Sequence, residues 1–272
     1  MNDPYVPVLF VTHDRLAYTV HSLESLLKSA NNGCLKITIW DNASTDGTKT
    51  YLKYLEHSAI DEIILSDENV GLAKPMNYMF RKYKNFEYVA KVDNDTVLPY
   101  GWEANLRYAY DVIDREKIHV REEARMRVGA ISGWCLRPWG EQTDKWYQDM
   151  ISVNVQGIPL KLNSYICGTG VLINMDMIRE RGLLFEGEKC IIGGWTSYCR
   201  IAHDDGWKFF FHMDVDLKLL NIESNHVLSN DFPEYDARMK VIRDDGDKWW
   251  VSINGTHGIR KLVAKAGGYE KL

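Results

Sequence analysis

Cysteine is scarce and poorly spaced for cross-linking: Cys34, Cys135, Cys167, Cys190 and Cys199 are odd in number and form no CxxC pair. That argues against a disulfide framework and a zinc site, and fits reduced, mostly buried thiols. No apolar run approaches the ~20 residues that a membrane helix needs. The segment Val6-Pro7-Val8-Leu9-Phe10-Val11 is short, interrupted by Pro7, and lacks the basic start of a signal peptide, so a cytoplasmic setting is expected. Positive charge is also in short supply. The 33 Lys and Arg against 38 Asp and Glu leave a net charge of −5, which argues against a broad nucleic-acid-binding face. An anionic phosphorylated ligand would therefore need a metal or a few local Lys and Arg side chains. Linkers, low-complexity tracts and internal repeats are missing too. What remains is an ordinary globular composition, 45% hydrophobic and 26% charged, long enough for one large α/β domain or two small ones.

Apolar runs alternate with helical patterns through the first hundred residues. Strands are expected at Pro7–Thr12, Leu35–Trp40, Ile60–Leu65 and Tyr88–Val92. Helices are expected at Leu16–Ser29, with Val20, Leu23 and Leu27 on one face, and at Thr48–Glu56 and Leu72–Lys82. Strands separated by such helices imply βαβ units and a parallel sheet, so the fold class is a three-layer α/β/α arrangement around a mostly parallel sheet. The second half is less regular. Helices are expected at Trp102–Arg115, Met175–Arg181 and Trp195–Asp205, and strands at Val128–Gly133, Tyr165–Asn174 and Trp207–His212. The stretch Trp134–Gln156 shows no clear period. Beyond about Asn230 charged helical segments suggest an appendage, residues 231–272.

Ligands of parallel sheets collect at the carboxyl ends of the strands. Four polar loops fall there: Thr12-His13-Asp14, Asp41-Asn42, Asn69-Val70-Gly71 and Asp93-Asn94-Asp95. In the last, a strand runs into two carboxylates one residue apart, which extended backbone would turn to one side. Two carboxylates held that close need a cation between them, and oxygen-only ligands suit Mn²⁺ or Mg²⁺ with positions left for phosphate oxygens. The alternative is a solvated turn.

In order and spacing the chain resembles the family 2 glycosyltransferases of the GT-A fold, over about residues 5–226. The matching segments are Val11-Thr12-His13-Asp14-Arg15, Ile39 to Thr48, Glu68-Asn69-Val70-Gly71, Val92-Asp93-Asn94-Asp95 and Cys167 to Ile173 followed by Arg181-Gly182-Leu183-Leu184-Phe185. The resemblance implies a main domain at 1–230, with a nucleotide-sugar-binding half at 1–100 and an acceptor half at 101–230. It implies a nucleoside-diphosphate sugar as donor, a UDP-sugar being favoured, and a carbohydrate or other hydroxyl-bearing acceptor. Asp41 would accept a hydrogen bond from an imide N–H of the base, with Asn42 beside it. Thr12 and Asp14 would line the base and ribose pocket, and Asn69 and Gly71 would let backbone approach the nucleotide. Lys74 would meet a phosphate, or else is a solvated surface lysine. Asp93 would touch the ribose or share the metal, Asp95 would hold it as the DXD motif's second acid, and His226 would be a further metal ligand or a lone histidine. Asp46, before Gly47, fits a helix cap instead.

One departure bears on catalysis. Inverting relatives carry an acid at the start of the helix corresponding to Trp195–Asp205, and Gly194 and Trp195 stand there in this chain. Asp204 lies ~14 Å along the helix at ~1.5 Å per residue, too distant to replace it. Glu188, or Glu186 beside it, is left as the general base, the alternative being a solvated loop glutamate. Trp195 offers either a face for a sugar ring or simple core packing, and Trp134, Trp139, Trp146 and Tyr147 an acceptor loop or lid packing. The expected function is metal-dependent, inverting sugar transfer; the alternative is a nucleotide-sugar-binding protein with impaired catalysis. A nucleotidyltransferase fits less well, because Thr12 to Leu16 contains no glycine for a phosphate loop.

Overall fold

The computed structural model describes residues 3–30, 32–115, 119–121, 124–125, 127–135, 150–166, 168–184, 186, 194–220 and 270–272. Four parallel strands form one side of its sheet: β1 (Val6–Thr12), β2 (Leu35–Asp41), β3 (Ile60–Leu65) and β4 (Tyr88–Asp93). They are connected by α1 (Leu16–Ser29), α2 (Thr48–Lys53) and α3 (Ala73–Lys82). After the short β5 (Thr96–Val97) and α4 (Trp102–Arg115) come a small β6–β7 ribbon (His119–Arg121, Ala124–Arg125) and β8 (Arg127–Cys135). Then follow β9 (Ile151–Val155), β10 (Ile158–Asn163), β11 (Val171–Asn174), α5 (Met175–Arg181), α6 (Gly194–Asp204) and β12 (Trp207–Leu219).

Nine strands run in the order β3-β2-β1-β4-β11-β8-β12-β10-β9, with β5 pairing β12. The β8–β12 pair is parallel, while β11, β10 and β9 join antiparallel. Both sheet faces are covered. One carries Leu23 and Leu26 of α1, Leu52 of α2 and Trp102 and Leu106 of α4. The other carries Met76 and Phe80 of α3, Met177 and Ile178 of α5 and Tyr198 of α6. Burial on both faces explains the continuous apolar runs of β1 and β2.

Several expected boundaries move for identifiable reasons. Thr48–Glu56 stops being helical at Lys53, and Tyr165–Asn174 is strand only from Val171, because Gly170 takes a positive φ of 53°. The 207–212 strand runs on to Leu219 through a register shift between His212 and Asp216. The aperiodic Trp134–Gln156 stretch contains β9, which pairs with β10 across Gln156-Gly157. Both turn residues have positive φ (49° and 88°), as a tight two-residue hairpin requires. In α1 the buried face is Tyr18, Thr19, Ser22, Leu23, Leu26 and Ser29, while Val20 and Leu27 are only partly covered. Thr19 and Ser22 are buried there because they brace the carboxyl ends of the strands. The expected appendage at 231–272 lies outside the described residues except for its end, where Glu270 C=O accepts from Leu183 N–H (2.8 Å).

Candidate functional site

The four polar loops meet at one sheet edge. In the β2-β1-β4 order Thr12 is registered with Asp41, and Val11 with Asp93. At ~4.8 Å per strand, Asp41 and Asp93 therefore stand about 10 Å apart across β1.

Asp41 is fully buried. Its Oδ2 accepts the Ser44 N–H (3.1 Å) and lies 4.0 Å from Lys49 Nζ, while Oδ1 is buried with no hydrogen-bond partner among the described residues. A buried carboxylate oxygen without a donor is costly, so this atom is the clearest demand for a ligand N–H in the structure. Asn42 ties two loops together: its Nδ2 donates to Gly71 C=O (3.0 Å) and its Oδ1 accepts from Val70 N–H (2.9 Å). Asn69, exposed, accepts from Gly71 N–H (3.0 Å) in an Asx turn, and Gly71 has φ 72°. These two shape the loop's backbone, and Lys74 stands exposed in the first turn of α3.

Thr12 and Asp14 are buried and hydrogen-bonded within the loops at this edge. The Thr12 hydroxyl shares a hydrogen bond with Thr19 (2.7 Å). Asp14, at φ 54°, donates its N–H to Ser44 Oγ (2.7 Å) and accepts from Thr45 N–H (2.6 Å) on its carboxylate. The β1–α1 loop is thereby fastened to the β2–α2 loop. Asp46 behaves as a cap, accepting from Thr48 N–H (3.1 Å) and also from Leu16 N–H (2.8 Å).

The Asp93-Asn94-Asp95 segment is a turn, since β4 ends at Asp93 and β5 begins at Thr96. Strand alternation therefore does not bring the two acids together; the turn does. Asn94, buried between them, donates to Thr12 Oγ1 (3.1 Å), Asp14 C=O (3.2 Å) and Thr19 Oγ1 (3.2 Å). Ser22 Oγ lies 2.9 Å from Asp93 C=O and 2.6 Å from Thr96 C=O, and Thr169 Oγ1 accepts the Asp93 N–H (3.1 Å). The Asp93 side chain is 36% exposed and accepts from the buried Lys91 ammonium. Asp95 accepts from Arg15 Nη1 (2.9 Å). Burial pushes its carboxyl up, nearby Asp93 adds to this, and Arg15 and Lys91 oppose it. Asn94, Ser22, Thr19, Thr169, Lys91 and Arg15 were not anticipated as site residues. Only Lys91, an ionic residue among Val89, Ala90 and Val92, carried a visible signal.

Two oxygen donors fit a hard divalent cation whose other positions go to phosphate oxygens and water. No third His, Cys, Asp or Glu joins them among the described residues. Glu188 and His226 lie outside those residues. Glu186 is held by Asn77 Nδ2 (2.6 Å) and lies 3.7 Å from Arg81. Asp205 is ion-paired with Arg181 at the far end of α6. Trp195 is 3% exposed and stacked on Tyr198 (6.1 Å between centroids), so it packs the core and offers no open platform for a sugar. Trp134 is likewise buried, edge-on to Phe211, whereas Trp139, Trp146 and Tyr147 lie outside the described residues.

This architecture is the GT-A fold. Residues 8–115 match the family model described as Glycosyl transferase family 2. Solved structures with the same fold include a mannosyltransferase, PcManGT from Pyrobaculum calidifontis, in complex with GDP-Man and Mn²⁺ (16% identity, TM-score 0.56, 80% of this chain and 57% of that one). GalNAc-T7 with UDP, GalNAc and Mn²⁺ is another (13%, 0.54, 80% and 44%), as is TarS residues 1–349 from S. aureus (15%, 0.51, 77% and 60%). The match spans 44–60% of those chains. No curated protein matches the sequence. No helix among the described residues is long and apolar enough to cross a membrane.

Proposed function

We propose that this chain transfers a sugar from a nucleoside-diphosphate sugar to an acceptor hydroxyl with help from a divalent cation, Mn²⁺ or Mg²⁺, at Asp93 and Asp95. The observation that carries this reading is Asp41 Oδ1, a buried acceptor without a donor, on the same edge as the aspartate pair. A uracil or thymine base presents one imide N–H and would satisfy it. Guanine presents N1–H and an exocyclic N–H side by side and pairs best with two free oxygens, whereas Oδ2 is already engaged by Ser44. That favours a UDP-sugar. Asn42 and Asn69 hold the loop backbone around Gly71, which would approach the nucleotide, and the exposed Lys74 would meet a phosphate. A bound cation would supply the fixed positive charge that offsets the charge developing on the departing diphosphate. Inversion, with Glu188 as general base, is part of the proposal, as is a cytoplasmic setting.

One observation favours a second reading, a nucleotide-sugar-binding protein with impaired catalysis: the start of α6 carries Gly194 and a buried Trp195 where an acid would stand. A thermal-shift screen of UDP, TDP and GDP with and without Mn²⁺ tests the site, because ligand raises the melting point by mass action. The expected order is UDP and TDP above GDP, with Mn²⁺ adding to each and Asp95→Ala removing that addition. Absence of any nucleotide shift would overturn both readings. Nucleotide binding with neither transfer nor donor hydrolysis would favour the second.

A further inference from the structure

Each acid of the Asp93/Asp95 pair is met by a cation from a different part of the chain. Lys91 lies two residues before Asp93 in β4, between β1 and β11, with its side chain 2% exposed and its ammonium donating to Asp93 Oδ1. A Cβ placed on Gly168 would sit 3.1 Å from that Nζ, so the lysine fills the space beneath the β11 loop. Arg15 reaches Asp95 Oδ2 at 2.9 Å, the two side chains being 11% and 15% exposed. It is presented by left-handed backbone (φ 64°) just before α1, and its guanidinium lies over the Tyr18 ring at 5.1 Å.

Burying an ammonium in the middle of a sheet costs several kcal/mol before pairing, where an aliphatic side chain would pack freely. Lys91 therefore calls for a reason beyond core packing, and charge balance supplies one. Two carboxylates and two cations sum to zero. A divalent ion added alone would leave two uncompensated positive charges in a partly buried pocket, beside the 2% exposed Lys91 and the 15% exposed Asp95. Added together with a diphosphate, it leaves the pocket near neutrality, and Lys91 and Arg15 can turn to phosphate oxygens as the acids turn to the ion.

We infer that Lys91 and Arg15 form an internal cation cap on the aspartate pair, which makes divalent-metal binding conditional on the nucleoside diphosphate. They are positioning residues, acting through Asp93 and Asp95. The inference rests on the donor-site reading above. It predicts reciprocal coupling: nucleotide tightens the metal by the factor by which metal tightens the nucleotide.

The test is Mn²⁺ titration of the full chain, followed by electron paramagnetic resonance of free Mn²⁺, with and without UDP. The wild-type protein is expected to bind Mn²⁺ at least about tenfold more tightly with UDP present. Lys91→Met and Arg15→Gln should each tighten nucleotide-free Mn²⁺ binding by about tenfold and shrink the coupling, and Lys91→Arg should restore the weak state. If Lys91→Met fails to fold by circular dichroism, Arg15→Gln, in a loop, carries the test alone. Unchanged or weaker nucleotide-free binding in the folded variants, with wild-type coupling intact, would sink the cap and leave the donor site standing. Wild-type protein that binds no Mn²⁺ even with UDP would sink the metal site and the cap together.

Discussion

Asp41→Asn separates ligand demand from fold demand at one atom. In the folded protein Oδ2 takes the Ser44 N–H and Oδ1 has no donor, deep in the sheet edge. An asparagine side chain can keep its oxygen toward Ser44 and places an amide NH₂ where Oδ1 stood. A base imide N–H then meets a donor where it needs an acceptor. Hydrogen bonds to charged groups contribute about 1.5–3 kcal/mol, so UDP affinity should fall about 10- to 150-fold. Stability should move the other way or not at all, since an unpaired neutral amide is less costly to bury than an unpaired charged oxygen. Isothermal titration of UDP against both proteins, with a melting curve of each ligand-free form, reads the two effects. Binding within about threefold of wild type, with a normal melting curve, would refute the placement of the base at Asp41.

Asn94→Leu removes three donated hydrogen bonds to Thr12, Asp14 and Thr19. It should cost about 2–3 kcal/mol, read as a melting point lower by roughly 4–10 °C, and should weaken Mn²⁺ binding in the presence of UDP. Gly133→Ala would place a Cβ 2.7 Å from the Val215 carbonyl oxygen, and urea unfolding should report a loss of about 1–3 kcal/mol; an unaffected midpoint would contradict the packing of β8 on β12. Burial holds the His212 imidazole below its usual 6.5. Between that depressed value and 6.5 the unfolded chain binds a proton that the folded chain refuses, so stability should fall as pH drops below about 6.5. His212→Gln should flatten that decline, measured as melting point against pH. Burial and neighbouring Glu103 push the Cys34 thiol up to about 11, so iodoacetamide at pH 8 should modify it far more slowly than a free thiol.

Much of the first hundred residues was legible because its signals are local. Alternating apolar strands and helices, each ending in a polar loop, follow from hydrophobic period alone, and α1 and β3 match their expected ranges. The β9–β10 hairpin was equally legible and missed: Ile151, Val153 and Val155 alternate with polar residues, and Gln156-Gly157 is a turn signal. The aromatic residues around it hid the period of two. Trp195 and Trp134 were ambiguous for a different reason, since an indole serves a sugar face or a core equally well and only its neighbours decide.

The amino-acid sequence by itself determined the chain's layered α/β class, the carboxyl-end loops and the standing of Asp41, Asp93 and Asp95 within them, because these depend on residue type and short spacing. Tertiary structure decided everything that needs residues distant in sequence to meet. It placed Asn94, Thr19 and Ser22 as braces of the acidic turn, left one oxygen of Asp41 without a donor, and brought Lys91 and Arg15 onto the aspartate pair. Hydrophobic period is a property of a segment, whereas the partner of a buried charge is a property of the packed sheet.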